Sequence, residues 1–303
     1  MAIVNTFTVN SRSDGLPLSV ITVKPEGEPV ALVQLAHGMA EHKERYIPLM
    51  TFLAEAGFAC IMNDHRGHGA SVRNEKDLGF FYENGDTALV DDLHQLTEQF
   101  RQEFPGKKLF LFGHSMGSFA VRAYAAKYGS DMDGLVVSGS PGYNAAAPVA
   151  LVLIALIRLF KGEHSKSPFL EKLLNGAFAK NFPGDSAFLW LSANRENVAK
   201  YEADPLCGFP FTVNGYRALV KLMCAAYDKK MPIRADLPVL FLSGADDPCA
   251  PNRAGFDAAV ENFKRRGCTR VSGKMYPGLR HEIFNELSSE PREDLLKFLN
   301  SSL

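Results

Sequence analysis

The sequence predicts an α/β fold: a mostly parallel sheet flanked by helices, with a helical segment inserted between two strands. Three observations carry that expectation. Short apolar runs of strand length alternate with longer segments of helical periodicity at both ends of the chain. One such run, Leu109-Phe110-Leu111-Phe112, breaks directly into Gly113-His114-Ser115-Met116-Gly117 and continues as a helix. The middle, residues 143–234, loses the alternation and holds helical and irregular stretches around the single tryptophan, Trp190. With 303 residues, 46% of them hydrophobic, the chain can bury a sheet of that kind.

Taken in order, residues 6–9 and 18–24 read as a hairpin turning at Asp14-Gly15. Residues 31–35 form a continuous apolar strand, followed by a loop and a helix near 46–56. A strand follows at 58–62, then a helix over 88–104 carried by Leu89, Val90, Leu93, Leu96 and Phe100. The strand at 109–112 leads into the glycine-flanked serine and a helix over 116–127, and 134–138 is the next strand. After the middle section come a strand at 238–242, a helix at 254–265, a strand at 270–276 and a closing helix at 293–303. Near-continuous apolar strands separated by helices are those of a sheet covered on both faces. The boundaries expected are a core of residues 1–142 and 235–303 and a cap of residues 143–234.

Composition excludes several classes. The net charge is −1 and no Lys/Arg block stands out, so nucleic acid is not an expected partner. The first residues lack the basic start and apolar core of a secretory signal. Cys60, Cys207, Cys224, Cys249 and Cys268 show no CxxC spacing, which points to a reducing compartment, the cytoplasm, rather than to disulfides or zinc. Residues 145–160 are apolar except for Arg158, and are too short to span a bilayer, which takes roughly 20 apolar residues. They read as a helix that is buried or docked on an apolar surface, and both peripheral lipid contact and pairing of two copies stay open.

Gly-x-Ser-x-Gly between a buried strand and a helix is a nucleophile elbow, which holds a serine hydroxyl at the tip of a sharp turn. A hydroxyl needs a base to take its proton, and the elbow's partners follow in the chain order Ser, then Asp or Glu, then His. Of the eight histidines only His281 lies beyond the candidate acids, in a loop after a strand. The acid comes from Ser243-Gly244-Ala245-Asp246-Asp247-Pro248, where the third residue after the turn glycine selects Asp247 and leaves Asp246 as a turn residue. The catalytic set is therefore Ser115, Asp247 and His281. Two backbone N–H groups are expected to hold the oxyanion, that of Met116 after the nucleophile and that of Met39 in His37-Gly38-Met39-Ala40-Glu41-His42. His37 and His42 read as loop anchors. Asp64-His65-Arg66-Gly67-His68-Gly69 reads as a tight loop bracing that stretch; its two histidines lack further metal-ligand spacing. His114 is the variable position of the elbow.

With those residues in place, the chain resembles the serine α/β-hydrolases of the monoacylglycerol lipase and lysophospholipase group. The resemblance rests on Ala36-His37-Gly38-Met39-Ala40-Glu41-His42-Lys43-Glu44-Arg45-Tyr46, on Asp64 to Ser71, on Gly113 to Gly117, and on Asp204-Pro205-Leu206-Cys207-Gly208-Phe209 and Arg280-His281-Glu282 in its bacterial branch. It implies an α/β-hydrolase fold with an eight-stranded sheet and an inserted cap, and hydrolysis of a single acyl chain from glycerol or a lysophospholipid head group. The mechanism so implied needs no cofactor and no metal. Leu151, Leu153, Ile154 and Ile157 are candidate walls of an acyl tunnel or candidate cap surface. Rival readings keep the same fold: an aminopeptidase with Glu202 or Asp204 holding the substrate amine, a thioesterase, an acyltransferase, or a non-catalytic binding protein.

Overall fold

Five central strands are buried at every residue: β3 (Ala31–Ala36), β4 (Phe58–Asn63), β5 (Leu109–His114), β6 (Gly134–Ser138) and β7 (Val239–Gly244). The computed structural model that shows this describes residues 2–250 and 253–303. The hairpin β1 (Ile3–Asn10) and β2 (Pro17–Lys24) closes one edge, and β8 (Val271–Tyr276) the other. The order is β1-β2-β4-β3-β5-β6-β7-β8, with β2 antiparallel to both neighbours and all later pairs parallel. The hairpin turns where Asp14-Gly15 was expected to turn it, with Gly15 at φ +71°.

Side chains alternate along a strand, so each central strand feeds two cores. Leu109 and Leu111 join the cluster under α2 (Gly85–Glu103), α3 (Met116–Lys127) and α8 (Arg253–Arg265), through Leu93, Phe119 and Phe263. Phe110 and Phe112 join the opposite cluster under α1 (Ile47–Glu55) and α9 (Glu290–Ser301), through Met50, Leu53 and Leu299. This double coverage is why the strands read as unbroken apolar runs.

Between β6 and β7 the chain makes α4 (Ala147–Lys161), α5 (Pro168–Asn175), α6 (Arg195–Ala203) and α7 (Val213–Ala226). Helix α7 packs on α2 and α3, and α4 packs on α7. The apolar run is the helix α4, and its two sides differ. Ala147, Leu151, Ile154 and Ile157, three or four apart, pack into the core. Val149, Val152, Leu156, Leu159 and Phe160 lie 51–83% exposed. No helix among the described residues is long and apolar enough to cross a membrane.

Candidate active site

The elbow forms because two positions lack side chains. A Cβ on Gly113 would stand 2.4 Å from the carbonyl oxygen of Gly117, and one on Gly117 would stand 2.2 Å from that of Ala36. Only glycine lets β5 fold back onto α3 and α3 lie against β3. Between them Ser115 adopts φ +52° and ψ −118°, a conformation that costs about 1–3 kcal/mol and is sustained by its surroundings. Its N–H donates to Ser138 O at 3.0 Å, tying the turn to the neighbouring strand.

Asp247 follows β7 and is buried. Its Oδ1 accepts the Cys249 N–H at 2.8 Å and its Oδ2 accepts the Ser243 hydroxyl at 3.3 Å. His281 Nδ1 stands 3.0 and 2.9 Å from the two oxygens, so this nitrogen donates to the carboxylate and Nε2 is left as the acceptor. Burial pushes the Asp247 carboxyl upward, and the adjacent imidazole more than reverses that, leaving it below its ordinary value. Burial pushes the imidazole downward, and the Asp247 charge outweighs it, leaving His281 above the ordinary histidine value. Asp246 is exposed and its N–H donates to Leu279 O at 3.0 Å, so it anchors the loop carrying His281 through its backbone.

The loop after β3 comes up against the serine. A Cβ on Gly38 would sit 3.2 Å from Ser115 Cβ and 2.6 Å from Glu41 Oε1. Glu41 Oε1 fixes the loop by accepting from Gly38 N–H at 2.6 Å and Tyr46 OH at 2.9 Å. The expected bracing is present. His37 Nε2 accepts the His65 N–H at 2.8 Å, and His68 Nε2 accepts the Ala40 N–H at 3.2 Å. Ser115, His281, Met39 and Met116 line one cavity of about 650 Å³.

Three features escaped the sequence reading. Arg45 makes a two-pronged ion pair with Glu282, at 2.8 and 2.7 Å, and also pairs with Glu41, so it joins the loop carrying His281 to the loop after β3. The spacing Glu41-x-x-x-Arg45 was a visible signal for half of this; the other half joins residues 237 apart. Trp190 packs on the His281 ring at 5.1 Å, and Arg280 donates to the carbonyls of Leu189 and Ser192, so the segment between β6 and β7 grips the loop carrying His281. Finally, none of Leu151, Leu153, Ile154 and Ile157 lines the cavity. Ala147 and Ala150 supply that side of α4, because Leu151, Ile154 and Ile157 pack into the core and Val149, Val152 and Leu156 are exposed. Leu174, Phe178, Phe209, Leu219 and Met223 form much of the remaining apolar wall. Glu202 and Asp204 are absent from the lining; Glu202 is exposed and Asp204 pairs with His42 at 2.9 Å.

Residues 27–288 match the family described as serine aminopeptidase, S33. The chain belongs to this family of α/β-hydrolases. A monoacylglycerol lipase of Mycolicibacterium smegmatis is 34% identical over 266 residues, covering 86% of this chain and 85% of that protein. The mouse monoglyceride lipase is 29% identical over 291 residues, covering 96% and 88%. Among solved structures, a thermostable carboxyl esterase from Bacillus coagulans in complex with glycerol superposes with a TM-score of 0.89 at 28% identity, covering 99% of each chain. The α/β-hydrolase fold and the likeness to the monoacylglycerol lipase group both stand.

Proposed function

We propose that this hydrolase cleaves carboxylic esters of single-acyl lipids, monoacylglycerols or lysophospholipids, through an acyl-enzyme on Ser115. The observation that carries the reading is a strained serine and a carboxylate-held histidine opening onto one mainly apolar cavity of about 650 Å³. His281 Nε2 takes the Ser115 proton as Oγ attacks the ester carbonyl. The Met39 and Met116 amides hold the oxyanion, a contact whose loss costs on the order of 3 kcal/mol per donor. The alcohol leaves with the proton from His281, and water repeats the sequence to free the acid. Asp247 keeps the ring in the Nδ1–H form and stabilises the imidazolium without taking the proton.

Residues 143–234 serve in this reading as a cap over a core of 1–142 and 235–303, supplying the apolar wall that takes the acyl chain. The relatives named monoacylglycerol lipase and the carboxyl esterase support an ester substrate. So does the lining. An aminopeptidase needs an acid to hold a free amine, whereas Glu41 and Glu282, which line this cavity with Ser115 and His281, are committed to Arg45. The exposed row on α4 is the surface through which the cap would rest on lipid while drawing its substrate.

Turnover of matched monoacylglycerols, lysophosphatidylcholine, p-nitrophenyl esters and aminoacyl anilides tests the assignment. Release of fatty acid from the first two, with fluorophosphonate labelling lost in Ser115→Ala, is expected. Preferential cleavage of the anilides would overturn it.

A further inference from the structure

A cluster of side chains of metal-ligating type lies outside the hydrolytic machinery. His42 closes the loop after β3, and Asp204 and Cys207 follow α6. One donor atom from each, a ring nitrogen, a carboxylate oxygen and a thiol sulfur, lie within 4.8 Å of one another. His42 Nε2 stands 2.9 Å from Asp204 Oδ2, while Nδ1 stands 2.7 Å from Glu44 Oε2. Asp204 is itself aimed, because its Oδ1 accepts the Leu206 N–H at 2.8 Å. The orientation matters. In metal sites the ligating histidine commonly donates its other ring N–H to a carboxylate, which fixes the tautomer and turns the free nitrogen to the ion. Glu44 is placed to receive that proton.

We propose that His42 Nε2, Cys207 Sγ and Asp204 Oδ2 bind one zinc-class divalent cation, with water in the fourth position. The donor set of one nitrogen, one sulfur and one carboxylate suits zinc and excludes magnesium and calcium, which take oxygen ligands. Asp204 is about a third exposed at its side chain, which gives the water its access. The His42 ring lies between the Glu44 and Asp204 carboxylates, whose negative charge would favour a cation placed at Nε2. Binding displaces the Cys207 thiol proton and any proton on Nε2, and leaves Nδ1–H on Glu44.

The site joins two segments that both contribute to the lining of the cavity. Ala40 O accepts from both Tyr201 OH and Gly208 N–H at 2.9 Å, so the 201–208 segment already touches the loop carrying Met39. A bound ion would clip them together. The inference does not depend on the hydrolytic reading.

Cobalt(II), a spectroscopic substitute for zinc, tests it on the full chain. One equivalent should bind with a thiolate-to-cobalt charge-transfer band, and zinc should displace it. Cys207→Ser and His42→Gln should abolish the band, and Glu44→Gln, a change at a half-exposed side chain, should weaken binding about tenfold or more. Cys249→Ser should leave the band intact. Zinc should also slow alkylation of Cys207 in the unmodified chain, a readout independent of variant folding. A band that survives Cys207→Ser and disappears in Cys249→Ser would place the ion on Asp247, Cys249 and His281 instead. That outcome, or failure of the native chain to retain cobalt at all, overturns the proposal.

Discussion

His281 is gripped through Nδ1 by a buried carboxylate, and that contact sets the pH at which Nε2 can accept a proton. In the proposed mechanism this base works only when neutral, so activity rises as pH rises through its pKa. With that pKa lifted by Asp247, the half-point of kcat/KM for a chromogenic ester should lie above the usual histidine value of about 6.5. Asp247→Asn should move this limb toward acid and lower kcat by about 10⁴. A limb that stays in place would show that Asp247 does not govern the ring. The lone tryptophan offers a second readout. Because Trp190 packs on His281, protonation of the ring should quench its emission, and His281→Gln should remove the pH-dependent step. Arg45 joins both loops through paired bonds that a lysine cannot reproduce. Arg45→Lys should lower kcat for the ester more than it raises KM; an equal loss in both would argue against a positioning role. Ser115 and His281 stood out in the sequence through motif and chain order. Arg45 did not, since its main partner lies at the far end of the chain.

At the scale of elements, α4 divides its apolar residues between two destinations. Ile154 is fully buried, whereas Leu159 and Phe160 are 76% and 83% exposed. Leu159→Asp should therefore leave the melting temperature nearly unchanged and weaken co-sedimentation with phospholipid vesicles. Ile154→Asp should destabilise the fold by burying an unpaired charge. Sedimentation unaffected by Leu159→Asp would remove α4 as the lipid-facing surface. The elbow shows the opposite economy of space. In Gly117→Ala the added carbon meets the Ala36 carbonyl at 2.2 Å, and urea unfolding should report a loss on the order of 3 kcal/mol. The α4 run was plain in the sequence. Its division was hidden, because periodicity cannot say how many sides of a helix find a partner when nearly every position is apolar.

The whole molecule encloses several histidines whose burial outweighs every opposing interaction. His65 and His114 are held down to about 3 and His68 to about 4, in each case by burial first, and His37 is lowered in the same way. A histidine whose folded pKa is lowered binds fewer protons folded than unfolded, so its stabilising effect is present above the unfolded value near 6.5 and is lost as pH falls toward 3 or 4. Each such ring contributes a slope of about 1.4 kcal/mol per pH unit in that window. His42 acts in the other direction. Its folded pKa of about 11 gives stability that is complete below about 6.5 and is lost as pH rises toward 11. Urea unfolding should therefore show a steep loss of stability between neutral pH and pH 5, and a shallower loss on the alkaline side that His42→Gln removes. A flat acid limb would mean that these rings are hydrated and able to charge.

The sequence by itself determined the layered α/β fold, its strand and helix order, and the candidates Ser115, Asp247 and His281, because burial on both faces and a sharp glycine-flanked turn leave local marks. Boundaries were less visible: α9 begins at Glu290 with Pro291 in its first turn, three residues before the expected start. Tertiary structure alone decided that Trp190 covers the His281 ring, that Arg45 bridges two loops, that Ala147 and Ala150 rather than the larger aliphatics of α4 face the cavity, and that His42 meets Asp204 and Cys207. Each of these joins segments distant along the chain. Such contacts are fixed by how the inserted helices settle on the sheet, and no periodicity within either segment records where that happens.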